Sequence, residues 1–149
     1  MISSDFKAFP RTGRIMGIDW GARRTGVAVT DMTQEFFFTR PPIVTPQGGD
    51  VAMSVARMVG DENVVAIVVG LPRRTDGSDS ETTIAVREFA GALAGRVGVP
   101  IFLIDETLSS FAAQSDMGRV RRADIKEKLD SMAARVILEN AIAMARRIS

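Results

Sequence analysis

Asp19 ends the run Arg14-Ile-Met-Gly-Ile-Asp and is followed by Gly21, Arg23 and Arg24. A lone carboxylate at the end of a buried strand is costly unless something compensates its charge. Either Asp19 is a metal ligand with Arg23 and Arg24 beside it for phosphates, or it caps the turn of a hairpin. Asp105 and Glu106 directly follow a second apolar run, Ile101 to Ile104, and strand alternation sends them to opposite faces. One of the two can face a site while the other caps the loop; two solvated loop acids would look the same. Asp130 precedes Ser-Met-Ala-Ala-Arg-Val-Ile-Leu, at the expected entrance to a helix, where Asp is a favoured N-cap. Yet it is in register with Ala134, Ile137 and Ala141, a stripe that should face a sheet. A carboxylate on that stripe wants a cation.

Two basic segments add anion-binding potential. Gly70 to Ser78 follows the most apolar segment of the chain, and its Arg73 and Arg74 could grip phosphates at the sheet edge where ligands collect. The helix expected after it offers a positive N-terminal end. The same loop, with Asp76-Gly77-Ser78, also reads as a plain turn and cap. Arg119, Arg121, Arg122, Lys126 and Lys128 form a basic run whose commoner meaning is a solvated face.

What the 149 residues lack narrows the chemistry further. There is no Cys, His or Tyr. That removes disulfides, thiolate or imidazole metal sites, the Ser–His–Asp triad, histidine-based nucleases and a phosphotyrosyl intermediate. Catalysis must run on carboxylates, Lys, Arg, hydroxyls or a recruited hard metal ion. The net charge of +1 neither demands nor forbids a nucleic-acid partner, but 16 of the 19 basic residues are Arg, whose planar fork suits phosphate. Val64 to Val69 is the longest purely apolar run, far short of the ~20 residues that cross a bilayer. Residues 1–13 lack the apolar stretch of a signal peptide, so a cytoplasmic protein is expected.

The elements that must hold these residues follow from periodicity. Residues 14–19, 25–30 and 36–44 read as strands joined by short turns, an antiparallel meander whose last member is confined to a sheet edge by Pro41-Pro42. A helix over 50–59 then leads to a strand over 64–69, apolar throughout as in a strand buried on both faces. A helix over 80–96 and a strand over 101–104 come next. A short helix over 109–117, a basic connection over 118–128 and a long helix over 130–147 complete the chain. The expected architecture is a flexible tail (1–13) and one α/β domain (14–149). Its mixed five-stranded sheet combines a three-strand antiparallel meander with two parallel strands, flanked by helices.

Four blocks in this order resemble the bacterial YqgF/RuvX family of Holliday-junction resolvase-like proteins and pre-16S rRNA nucleases. They are Gly-Ile-Asp-Trp-Gly-Ala-Arg-Arg-Thr-Gly-Val-Ala-Val-Thr-Asp (17–31), Val-Gly-Leu-Pro with Asp-Gly-Ser (69–78), Asp-Glu-Thr-Leu-Ser (105–109) and Lys-Leu-Asp-Ser-Met-Ala-Ala (128–134). The resemblance runs from about Arg14 to the last helix and implies an RNase H-like fold. It places an acidic triad on Asp19, Glu106 and Asp130. Thr107 stands where the family usually has Arg, and Arg73-Arg74-Thr75 where it usually has apolar residues and Asn.

Three converging carboxylates repel one another, and Mg²⁺ or Mn²⁺, as two ions in the implied scheme, relieve that repulsion through oxygen ligands alone. The resulting expectation is a metal-dependent endonuclease acting on structured nucleic acid. Asp19, Glu106 and Asp130 are its catalytic and metal-binding residues, and Arg23, Arg24, Arg73 and Arg74 its phosphate contacts. Processing of pre-16S rRNA 5′ ends is the first substrate expectation. A Holliday-junction resolvase and a non-catalytic nucleic-acid-binding module are the alternatives, as monomer or homodimer. Asp-x-Gly-x₄-Gly-Val-Ala also resembles the first phosphate loop of actin-like ATPases and sugar kinases, but those need a duplicated domain that 149 residues do not hold.

Overall fold

The structure, a computed structural model, describes residues 2–45, 50–106 and 122–148, the side chains of 122–130 excepted. Six strands are described: β1 (Ile2–Ser3), β2 (Ile15–Asp19), β3 (Arg24–Thr30), β4 (Phe37–Val44), β5 (Ala66–Leu71) and β6 (Ile101–Asp105). They form one mixed sheet in the order β1-β6-β5-β2-β3-β4. β2, β3 and β4 make the expected antiparallel meander, with β4 at the edge. β5 pairs parallel with β2 on one side and with β6 on the other.

Helices α1 (Val51–Glu62), α2 (Glu81–Ala94) and α3 (Arg122–Ile148) cover the two faces. Alternation along the strands sorts the core into two layers. Met16, Ile18, Val27, Val69 and Leu103 pack with Val55 of α1 and with Val86 and Leu93 of α2. Ile15, Ala28, Val68, Phe102 and Ile104 pack with Ala134, Ile137, Leu138 and Ala141 of α3. The caps are local in origin. Asp50 accepts from the Met53 amide, Asn63 ends α1 in the left-handed region, and Ser80 with Thr83 forms a reciprocal capping box on α2.

Three expectations need correction. The sheet has six strands rather than five, because Ile2 and Ser3 pair in parallel with Ile101 and Phe102. The segment expected as a flexible tail is therefore built into the fold. Phe6 and Phe9 are buried against Phe102, with ring centroids 5.5 and 5.0 Å away. The last helix begins at Arg122, inside the segment expected to be a connection. Asp130 thus lies about two turns inside α3 rather than at its N-cap. The short helix expected over 109–117 falls outside the described residues. Among those described, no helix is long and apolar enough to cross a membrane.

Candidate active site

Glycine sets how closely α3 approaches the sheet. A Cβ on Gly17, mid-strand in β2, would stand 2.5 Å from the Leu138 side chain and 2.8 Å from the Ala134 carbonyl oxygen. A Cβ on Gly70, at the end of β5, would stand 2.5 Å from Ile137 Cδ1 and 2.6 Å from Glu106 Oε2. Any larger residue there displaces the helix or the carboxylate. The sheet is bare at these two points, and the space is filled by α3 and Glu106.

Asp19 and Glu106 reach the α3 side of the sheet by simple parity. Asp19 follows Ile15 and Gly17 on β2, and Glu106 follows Phe102 and Ile104 at the end of β6. The Glu106 amide extends the ladder by donating to the Leu71 carbonyl at 3.4 Å. β5 lies between their two strands, so the two carboxyls come together across the gap at Gly70. Burial, then the Asp19 charge, then a hydrogen bond to Asp19 push the Glu106 carboxyl up to about 8. At neutral pH Glu106 retains a proton and donates it to the Asp19 carboxylate.

Asp105 takes the opposite direction. Its side chain is 61% exposed, and Oδ1 lies 3.4 Å from Arg73 Nε. Of the two neighbouring acids it is Glu106 that joins Asp19. Arg24 begins β3, half-buried, on the same parity as Ala28 and hence on the α3 face, whereas Arg23 is exposed. The loop with Arg73 and Arg74 is held by its own backbone. The Arg74 amide donates to the Ser78 carbonyl at 3.0 Å, and the Gly77 amide, at φ +84°, to the Arg74 carbonyl at 2.8 Å. Asp76 accepts from the Ser78 amide and hydroxyl, and Thr83 ties Pro72 to α2. Arg74 is left exposed at the C-terminal edge of the sheet.

Asp130 stands one turn before Ala134 on α3, and its side chain lies outside the described residues. Among the described residues Asp19 and Glu106 meet, and no group of three or more metal-ligating side chains is assembled. The pair still suits a hard divalent cation. Its donors are all oxygen, both residues are half-buried, and Glu106 keeps a proton that such an ion would displace. Gly17 and Gly70 carry no reactive group, so a reading of the sequence for chemistry passes over them. Their signal is present nonetheless: glycine inside a strand often marks close approach of another group.

Comparison with known proteins agrees with this fold. A family model described as RuvX, Holliday junction resolvase, matches residues 13–144. A protein of Maridesulfovibrio salexigens named as a pre-16S rRNA nuclease is 39% identical over 134 residues, covering 89% of this chain and 99% of its own length. One of the same name from Sphingopyxis alaskensis is 39% identical over 140 residues, covering 91% of this chain and 90% of its own. Among solved structures, Thermus thermophilus RuvC in complex with a Holliday junction substrate superposes with a TM-score of 0.58 at 15% identity. That match covers 89% of this chain and 95% of RuvC. The fowlpox virus resolvase in complex with Holliday junction DNA gives 0.51 at 12% identity, covering 91% and 98%. The fold is that of the RNase H-like resolvases.

Proposed function

The chain belongs to the RuvX family, which makes it a nuclease, and from that premise we propose a divalent-metal-dependent endonuclease that trims the 5′ end of pre-16S rRNA in the cytoplasm. The observation that carries the metal-dependent reading is the half-buried Asp19–Glu106 pair, in which desolvation first and the Asp19 charge second raise the Glu106 carboxyl to about 8. A carboxyl set beside another carboxyl is a poor way to stabilise a fold and a good way to receive a cation.

Asp19, Glu106 and Asp130 are the residues that would hold Mg²⁺ or Mn²⁺. When bound, the metal supplies activation of water and stabilisation of the leaving oxygen in phosphodiester hydrolysis. The chain's own part is positioning. Glu106 would give up its proton to serve as a ligand, with Ile137 packed beside it over Gly70. Arg24 on the α3 face, with Arg23, Arg73 and Arg74 on the neighbouring loops, would hold substrate phosphates. Such contacts fix register rather than read sequence.

The family description favours a second reading, in which branched DNA is the substrate. Purified protein with Mn²⁺ should be offered a pre-16S RNA carrying its 5′ extension and a four-way DNA junction, with Asp19→Asn as control. Cleavage of the RNA, abolished by EDTA and by the variant, is expected. Cleavage of the junction alone would transfer the assignment to DNA, and metal-independent cleavage would overturn the site.

A further inference from the structure

Among the described residues, a directional contact ties α3 to the sheet beside Asp130. The Ser131 hydroxyl, 6% exposed, donates to the Arg40 carbonyl of β4 at 2.7 Å. A serine inside a helix ordinarily bonds a carbonyl one turn back in its own helix. Here it reaches a partner 91 residues away in sequence. Its acceptor lies where the β3–β4 ladder is broken. Val27 pairs with Arg40 and Thr25 with Ile43, so two steps on β3 are matched by three on β4. The extra length is Pro41-Pro42, which has no amide hydrogen to continue the ladder. Arg40 itself is held by its guanidinium, which donates to both Glu62 carboxylate oxygens at 2.7 and 3.2 Å.

We infer that Ser131 is a positioning residue for the metal site: its bond to the Arg40 carbonyl at the Pro41-Pro42 bulge fixes the turn of α3 that presents Asp130. The apolar seats of α3, Ala134 and Leu138 over Gly17 and Ile137 over Gly70, set its distance from the sheet. Dispersion contacts of that kind have little angular preference. A hydrogen bond does, weakening steeply as its angle closes. A second directional tie among the described residues, from Arg146 to the Gln34 carbonyl, lies at the far end of the helix. Ser131 is therefore a directional contact that fixes the rotation of the Asp130 turn. This inference rests on the metal-nuclease reading.

The test compares Ser131→Ala with Ser131→Thr, which restores a hydroxyl. Ser131→Ala should fold, with a melting temperature lower by about 2–6 °C for the removal of one hydrogen bond. The Mn²⁺ concentration giving half-maximal thermal stabilisation should rise about tenfold, a binding readout independent of turnover. At saturating Mn²⁺, kcat should fall about tenfold while KM for the nucleic acid stays within twofold. Ser131→Thr should recover both. A Ser131→Ala protein that binds Mn²⁺ and cleaves like the wild type would leave Ser131 as a mere helix anchor and overturn the inference alone. A wild type whose melting ignores Mn²⁺ and which cleaves nothing would overturn the metal-nuclease reading and this inference with it.

Discussion

Two glutamates of this chain sit in opposite surroundings. Glu62, at the end of α1, accepts from Arg14 of the segment before β2 at 2.6 Å and from Arg40 of β4. Those guanidinium hydrogen bonds, that of Arg40 foremost, hold its carboxyl below the usual range. Glu106 is pushed up to about 8, by desolvation first and by the Asp19 carboxyl beside it second. The first arrangement is complete in itself and joins three elements. The second leaves a protonated carboxyl beside a second carboxyl. The same side chain is structural where the fold surrounds it with positive charge, and reactive where the fold gives it a carboxylate for a neighbour.

The largest effect that would break this contrast comes from neutralising the pair. Asp19→Asn should lower cleavage at least ~10³-fold, as expected when a group acting in the transition state is removed. It should also leave the metal-free protein as stable or more so, since the repulsion is gone. Cleavage assays and thermal melts on the one variant decide both. An active Asp19→Asn would mean that the pair is no more functional than Glu62.

Filling the gap between the two carboxyls comes next. Gly70→Ala puts a methyl 2.6 Å from Glu106 Oε2 and 2.5 Å from Ile137. We expect about 1–3 kcal/mol of destabilisation from overpacking. Misplacement of Glu106 should lower kcat roughly 10²-fold. Denaturant unfolding and single-turnover cleavage measure the two parts.

The two glutamates should also tilt the stability–pH profile in opposite directions. Glu106 is raised in the fold, so from about pH 4.5 to about 8 the unfolded chain gives up a proton that the folded one keeps. Stability of the metal-free protein therefore falls across that window and levels off above it. Glu62 is lowered, so its contribution is present above its unfolded value and is lost as pH drops through its folded one. In melts run without metal, Glu106→Gln should flatten the neutral-pH slope, and Glu62→Gln the acid limb. If Glu106→Gln left the slope unchanged, Glu106 would not be the group held protonated.

The smallest effect belongs to the loop arginines. Removing one phosphate-binding side chain should reduce the salt slope of duplex binding by ~0.9. Arg74, exposed, should show this fully. Arg73, already 3.4 Å from Asp105, should show less. Titrations of Arg73→Ala and Arg74→Ala across salt concentrations separate them, and equal slopes would show that Asp105 does not compete with the nucleic acid for Arg73.

Much of this was legible from pattern alone. β2, β3, β4, β5, α2 and β6 fall within a few residues of their expected bounds, because apolar runs and Gly or Pro breaks delimit them. Alternation separates Asp105 from Glu106, and the acids at strand ends mark the site. The N-terminal strand was not legible. Two residues carry no period, and Phe6 and Phe9 acquire meaning only beside Phe102. The start of α3 was hidden because a helix rich in Arg and Lys over 122–128 looks like a solvated connection until its end is seen against the sheet. With that start corrected, the N-cap explanation of Asp130 disappears.

The strand order has a consequence in time. Asp19 lies on a strand made early, but its parallel neighbour β5 is synthesised only after β3, β4 and α1. Glu106 comes later still, and the helix that closes over both is last in the chain. No contiguous stretch of sequence holds even a rudimentary version of the site, and closing such distant contacts is the slow part of folding. A nascent or half-folded copy therefore lacks the paired carboxylates. The pair forms only once β6 has joined β5 beside β2, so the candidate site is among the last parts of the sheet to be assembled.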